Sequence, residues 1–127
     1  MCKVNMLGYP INVDYGAHVK QRLRSRFDDM DIAYLEYRIE EVFSDEAVAD
    51  HLMNEMKIGE DVILIDEDSG ITFAVNVGTD TLYIMTVYNA FEYSGFRCGD
   101  RQQVLKYAEK SGFRSGRFER KRGNVYA

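Results

Sequence analysis

The sequence predicts an α+β domain, with N-terminal helices packed on a three- or four-stranded antiparallel sheet and a C-terminal helix and basic tail closing the chain. Two observations carry this. Apolar residues recur at helical spacing between 16 and 59, and from 61 onward short β-branched and aromatic runs alternate with turn residues. Helices followed by strands, rather than alternating with them, is the order of an α+β fold. At 127 residues the chain is read as a single domain.

The elements follow in order. Val4-Asn5-Met6 and Ile11-Asn12-Val13 alternate weakly around the single proline, Pro10, so residues 1–15 are read as a short strand or extended arm. A helix is expected from Asp14 or Gly16, because Val19, Leu23 and Phe27 make an i, i+4, i+8 apolar stripe. Asp28-Asp29-Met30-Asp31 reads as a turn and N-cap. Behind it Ile32, Leu35, Ile39, Val42 and Phe43 keep the helical period. Ser44-Asp45-Glu46 caps a third helix, with Val48, Leu52 and Met56 on one face and an end at Gly59. Residues 61–66, 71–77 and 81–88 are three strands joined by Glu67-Asp68-Ser69-Gly70 and Gly78-Thr79-Asp80, an antiparallel meander. Residues 102–110 are read as a last helix burying Val104, Leu105 and Ala108, and 113–127 as a mobile basic tail or a late strand. Met53, Met56 and Met85 are read as core filler, and His51 as a surface residue without an evident partner.

Charge is segregated. The net of −5 divides into +4 over residues 1–27, −15 over 28–96 and +6 over 97–127. Such a distribution suggests a basic surface built from the two ends, suited to phosphate, and an acidic surface built from the middle. Internal pairing of the acidic middle with the basic ends is the alternative reading. No apolar run reaches the ~18–20 residues of a membrane helix. No secretory signal is expected at the N-terminus, and Cys2 and Cys98, the only cysteines, suggest a reduced, cytoplasmic setting. With His18 and His51 far apart and no CxxC pair, neither a metal nor a cofactor is expected. Asp66, Glu67 and Asp68 are read as a solvated turn rather than a cation site. P-loop, HExxH and GxSxG patterns are absent, which removes support for P-loop nucleotide hydrolysis, zincin and α/β-hydrolase chemistry.

Three features can carry chemistry together. His18, Arg22 and Arg26 repeat every four residues, about 100° around the helix from the core stripe. Thr86 and Tyr88 share one side of the third strand of the meander, by the period of two. The C-terminal segment adds Arg114, Arg117, Arg120, Lys121 and Arg122. Cleaving RNA without metal requires a base for the 2′-OH, an acid for the leaving 5′ oxygen, and donors for the crowded phosphorane. A histidine titrates near neutrality and can be acid or base, which suits His18. Arg22 can hold two phosphate oxygens through its planar fork. Thr86 can donate a hydrogen bond to phosphate, and Tyr88 can stack on a base or pass a proton. Arg26 and the five cations of the tail can grip the backbone.

The order of a His- and Arg-bearing helix, further helices and a meander ending in Thr-x-Tyr resembles small ribonuclease toxins of the barnase/EndoU/colicin D/RelE-like architecture. Thr86-Val87-Tyr88 resembles the hydroxyl-x-aromatic pair of the colicin D-like branch, and His18-Val19-Lys20-Gln21-Arg22 its basic, His-bearing element. The resemblance spans 16–88. It implies a metal-independent, cofactor-free endoribonuclease with RNA as substrate, catalytic residues His18, Arg22, Thr86 and Tyr88, and a cognate antitoxin as a partner. Two other readings stay open. The chain is an inhibitor of phage or mobile-element type whose acidic helices bind a host protein, or it is a non-catalytic RNA-binding module. His18 as a helix-start residue, the arginines as a solvated face and Thr86 and Tyr88 as plain strand formers remain the structural alternatives.

Overall fold

The computed structural model describes residues 2–90, 101–108 and 114–119. Strands dominate it. β1 (Cys2–Met6), β2 (Tyr9–Tyr15), β3 (Asp61–Asp66), β4 (Ile71–Val77), β5 (Thr81–Asn89), β6 (Arg101–Tyr107) and β7 (Arg114–Glu119) form one mixed sheet in the order β1-β2-β5-β4-β3-β6-β7. The helices are α1 (Ala17–Arg26), α2 (Ile32–Phe43) and α3 (Glu46–Asp50), and α3 runs on as a π-helical turn over His51–Glu55.

The predicted three- or four-stranded antiparallel sheet with a C-terminal helix is therefore wrong. The meander β3-β4-β5 is present, but it is the centre of a seven-stranded sheet with two parallel joints, β2 to β5 and β3 to β6. Residues 101–107 form β6 rather than a helix. Val104 and Leu105, expected side by side on a helix face, point to opposite faces of the sheet, opposite Ile63 and Leu64 of β3. A short apolar run fits either state, and a strand partner 41 residues away decides it. Within the predicted tail, 114–119 pairs antiparallel with β6 as β7, which puts Arg114 and Arg117 on a strand. Arg120, Lys121 and Arg122 lie outside the described residues.

The N-terminal arm is a hairpin. Its two-residue turn needs positive φ at both centres, which Leu7 (55°) and Gly8 (88°) adopt, and the Gly8 N–H donates to Asn5 Oδ1 at 2.8 Å. Pro10 lies opposite Asn5 on β2, before the pairing with β5 begins at Asn12, so its missing N–H leaves no ladder bond unmade.

The helices form where expected. α2 is capped by Asp31, which accepts from the Tyr34 N–H at 2.8 Å, and α3 by Asp45, which accepts from Val48 at 3.1 Å. The helices cover one face of the sheet. Val19 and Leu23 of α1, and Leu35, Ile39, Val42 and Phe43 of α2, close over Val62, Leu64, Ile71, Phe73, Val75, Leu82, Ile84, Val87 and Leu105. The Phe43 and Phe73 rings meet edge to face at 5.5 Å.

β5 is bulged at Met85. Ala74 pairs with Thr86 and Val75 with Ile84, which leaves Met85 without a counterpart. The bulge lets both Ile84 and Val87 face the core despite their odd spacing, and it leaves Met85 41% exposed instead of filling the core. Met56 is buried and Met53 packs at the core margin, as expected.

Two polar ties lock the helices to the sheet. The Tyr15 hydroxyl donates to Glu36 Oε2 on α2. Burial, then this bond, raises the Tyr15 pKa, and the bond holds Glu36 below the ordinary carboxylate range. Burial first, then Glu36, pushes the neighbouring Cys2 thiol up to about 11, so it is not a nucleophile at neutral pH. Removing the hydroxyl with Tyr15→Phe is expected to move Glu36 back toward its ordinary value, read by NMR titration. A depressed carboxylate stabilises the fold above its unfolded pKa and ceases to do so as pH falls through the folded value. The stability difference between Tyr15→Phe and the parent should thus be full at neutral pH and shrink once Glu36 is protonated. A gap independent of pH would show that the ionised carboxylate is not involved.

The second tie is buried. Asp66 is 0% exposed and pairs with Arg38 of α2, Nε to Oδ2 at 2.8 Å and Nη2 to Oδ1 at 3.1 Å. This overturns the solvated-turn reading of Asp66. His51 is likewise buried, at 6% exposure, and its Nδ1 lies 2.9 Å from Glu55 Oε2, contrary to the expected free surface position.

Candidate functional site

The site expected from sequence is built by α1 and the far half of β5. β2 pairs with β5 only from Asn12–Thr81 to Tyr15–Ile84, and then the chain leaves the sheet to start α1. β5 runs on to Asn89, so its last residues have no strand on that side. α1 takes the strand's place. The Arg26 guanidinium donates from Nη1 to the Val87 carbonyl at 2.7 Å, and the Asn89 amide donates to the Arg26 carbonyl at 3.0 Å. The C-terminal end of α1, at Arg26, therefore sits beside the open edge of β5 at the level of Val87 to Asn89.

Two of the sequence-predicted groups meet here. The Arg26 guanidinium carbon stands 4.7 Å from the centroid of the Tyr88 ring, a cation–π contact. Tyr88 lies on the sheet face away from the helices, so Arg26 crosses the open edge and carries its charge to that face. His18 and Arg22 form a second pair one to two turns back along α1, with Arg22 Nε donating to His18 Nε2 at 3.4 Å. His18 is exposed in the first turn and Arg22 is half-buried. Thr86 belongs to neither pair. Its hydroxyl oxygen is buried and has no hydrogen-bond partner among the described residues.

Electrostatics separate the site from the rest of the molecule. α1 contains His18, Lys20, Arg22, Arg24 and Arg26 and no carboxylate. The salt bridges among the described residues involve Arg38 and His51 and no cation of α1, although the charge of Lys20 acts on Glu36 of α2. An acidic surface begins just past Arg26. There Phe27, Met30 and Tyr34 with Asp28 and Asp29 line a cleft of about 330 Å³, beside exposed Tyr37. No group of three or more His, Cys, Asp or Glu side chains that could hold a metal occurs among the described residues. No helix among them is long and apolar enough to cross a membrane.

Two polar features escaped the sequence reading. One is Arg38–Asp66, although Arg38 falls on the helical period of Leu35 and Val42 and so sits on the core stripe. The other is Thr72 of β4, 0% exposed, whose hydroxyl also lacks a partner among the described residues. Threonine is so common in strands that nothing in the pattern sets Thr72 apart.

The chain matches no family model, no curated protein and no solved structure.

Proposed function

We propose that the protein is a metal-independent, cofactor-free endoribonuclease of toxin type. The observation that carries this reading is the carboxylate-free helix α1, whose Arg26 reaches the open edge of β5 and lies over Tyr88. A surface of that kind accommodates a polyanion without first displacing internal ion pairs. His18, as neutral imidazole, takes the proton from the ribose 2′-OH. The 2′ oxygen attacks phosphorus, the bond to the 5′ oxygen breaks, and the imidazolium returns a proton to that oxygen, leaving a 2′,3′-cyclic phosphate. Arg22 holds the equatorial oxygens, and Arg26 with Tyr88 binds the neighbouring nucleotide. Arg114 and Arg117 stand on β7, four strands from β5, and are not beside this site.

The deciding experiment incubates purified protein with total RNA and a tRNA pool in EDTA. Cleavage leaving cyclic-phosphate ends is the expected result. Intact RNA bound with a steep salt dependence would replace the enzyme by an RNA-binding module.

One observation favours a second reading, a binder of a host protein or of a cognate antitoxin. Asp28 and Asp29, ahead of α2, line the cleft described above with Tyr34, whose exposed ring lies 6.1 Å from that of exposed Tyr37. Reversing Asp28 and Asp29 tests this surface without touching Glu36, which the fold uses.

A further inference from the structure

The buried stripe of α1 is Val19 and Leu23, continued by Phe27 just past its end. At ~100° per residue the arginines and the lysine fall on two flanks, about 80° to either side of that stripe. Arg22 and Arg26 make one flank, and Arg26 carries it to the edge of β5. Lys20 and Arg24 make the other, which the reaction described above leaves unused. Between the flanks, away from the core, stand Ala17, His18, Gln21 and Ser25. All four are exposed, as are Lys20 and Arg24. Together Ala17, Lys20, Gln21, Arg24 and Ser25 line an open groove of about 480 Å³, so this side of the helix is within reach of solvent and of a ligand. The Ser25 hydroxyl donates to the Arg22 carbonyl at 3.3 Å, which leaves His18 and Gln21 as the longer polar groups of the crest.

Charge sets the direction in which a polyanion lies here. Carboxylates stand at both ends of the helix, Asp14 before it and exposed Asp28 and Asp29 after it. A phosphate backbone laid along the axis would meet one of these ends, whereas one laid across the helix meets cations on both flanks and His18 between them. A helix with its side chains is about 10–12 Å across, and a stacked strand rises ~3.4 Å per nucleotide, so the crossing takes about three or four nucleotides. So short a crossing suits one strand. A duplex also runs its second backbone toward the carboxylates.

We infer that Lys20 and Arg24 are a second phosphate-binding row for single-stranded RNA, whose backbone crosses α1 over His18 and Gln21 to reach Arg22 and Arg26. The choice of RNA rests on the ribonuclease reading. The path of a phosphate backbone across the helix does not.

The test uses the full chain and a fluorescein-labelled single-stranded DNA dodecamer of mixed sequence, which has no 2′-OH to attack, with binding read by anisotropy across a salt series. Each phosphate contact on a single strand contributes about 0.7 to the salt slope, worth about fivefold in affinity at ~0.1 M salt. Arg24→Gln should therefore weaken binding about fivefold, and Lys20→Gln with Arg24→Gln about 25-fold, with the slope falling by about 0.7 and 1.4. Lys20 also acts on Glu36, which the fold uses, so the single Arg24 variant is the cleaner probe, and its urea midpoint should match the parent. With the RNA dodecamer of the same sequence, Arg24→Gln should raise KM by a similar factor and change kcat less. Binding of Arg24→Gln equal to the parent overturns the inference. So does weaker binding at an unchanged salt slope, or tighter binding of the annealed duplex than of the strand. If DNA binds through Arg24 but the RNA stays intact, the path stands and the ribonuclease reading falls. If the parent and the double variant cleave RNA with the same KM, the path falls and the ribonuclease reading stands.

Discussion

Asp66→Ala should lower the stability of the fold by about 3–5 kcal/mol, the cost of leaving a buried charge without its partner. The Asp66 carboxylate accepts from Arg38 Nε and Nη2, from the Asp68 N–H at 3.2 Å and from Ser69 Oγ at 2.5 Å. Truncation strands the Arg38 guanidinium, whose side chain is 7% exposed, and leaves it Asp68 at 3.6 Å and the Tyr37 ring at 5.6 Å. Burial by itself would lower the Arg38 pKa, but the hydrogen bond and charge of Asp66 outweigh it and raise the value. The same truncation loosens the β3–β4 turn, because Ser69 Oγ in turn accepts from the Ile71 N–H at 3.1 Å. A loss of this size is a large part of the 5–15 kcal/mol that holds a typical domain. Urea denaturation of Asp66→Ala, Arg38→Met and the double variant measures it. The double variant should recover much of the loss, since replacing both charges with apolar groups is often close to neutral. A single-variant loss below about 1 kcal/mol would show that the pair is hydrated and unimportant to the fold.

His18→Ala should cut RNA cleavage by about 10²–10⁴-fold, the usual contribution of a positioned acid–base group. Its side chain is exposed in the first turn of α1, and its one hydrogen bond shown is with Arg22, so stability should change little. Arg22→Lys separates charge from geometry. If Arg22 holds two phosphate oxygens with its fork, lysine keeps the charge and still loses most of the rate. If it supplies only positive potential, lysine suffices. Stopped-time cleavage of a defined oligonucleotide, beside urea midpoints of each variant, makes both comparisons. Unchanged cleavage by His18→Ala would remove histidine from the mechanism.

The parts of the site differ in how readable they were, for physical reasons. The α1 stripe follows from the 3.6-residue period and the lack of carboxylates, both local properties. That Thr86 and Tyr88 share a face follows from the period of two, because both lie beyond the bulge at Met85. The meeting of Arg26 with Tyr88 was not readable. It depends on β2 ending opposite Ile84 and on α1 replacing it along β5, a relation between segments more than 60 residues apart. Thr72 was invisible because its distinction, a buried hydroxyl without a partner among the described residues, exists only once neighbouring strands and the Tyr88 ring are in place.

The sequence alone determined the three helices with their Asp31 and Asp45 caps, the β3-β4-β5 meander and the segregation of charge, because periodicity, capping and turn chemistry act over a few residues. Only the tertiary structure decided that 101–107 is a strand, that the sheet has seven strands with two parallel joints, and that Asp66 is a buried partner of Arg38. Each of those outcomes rests on a hydrogen bond or ion pair with a distant segment. Long-range pairing outweighs a local propensity difference of well under 1 kcal/mol per residue.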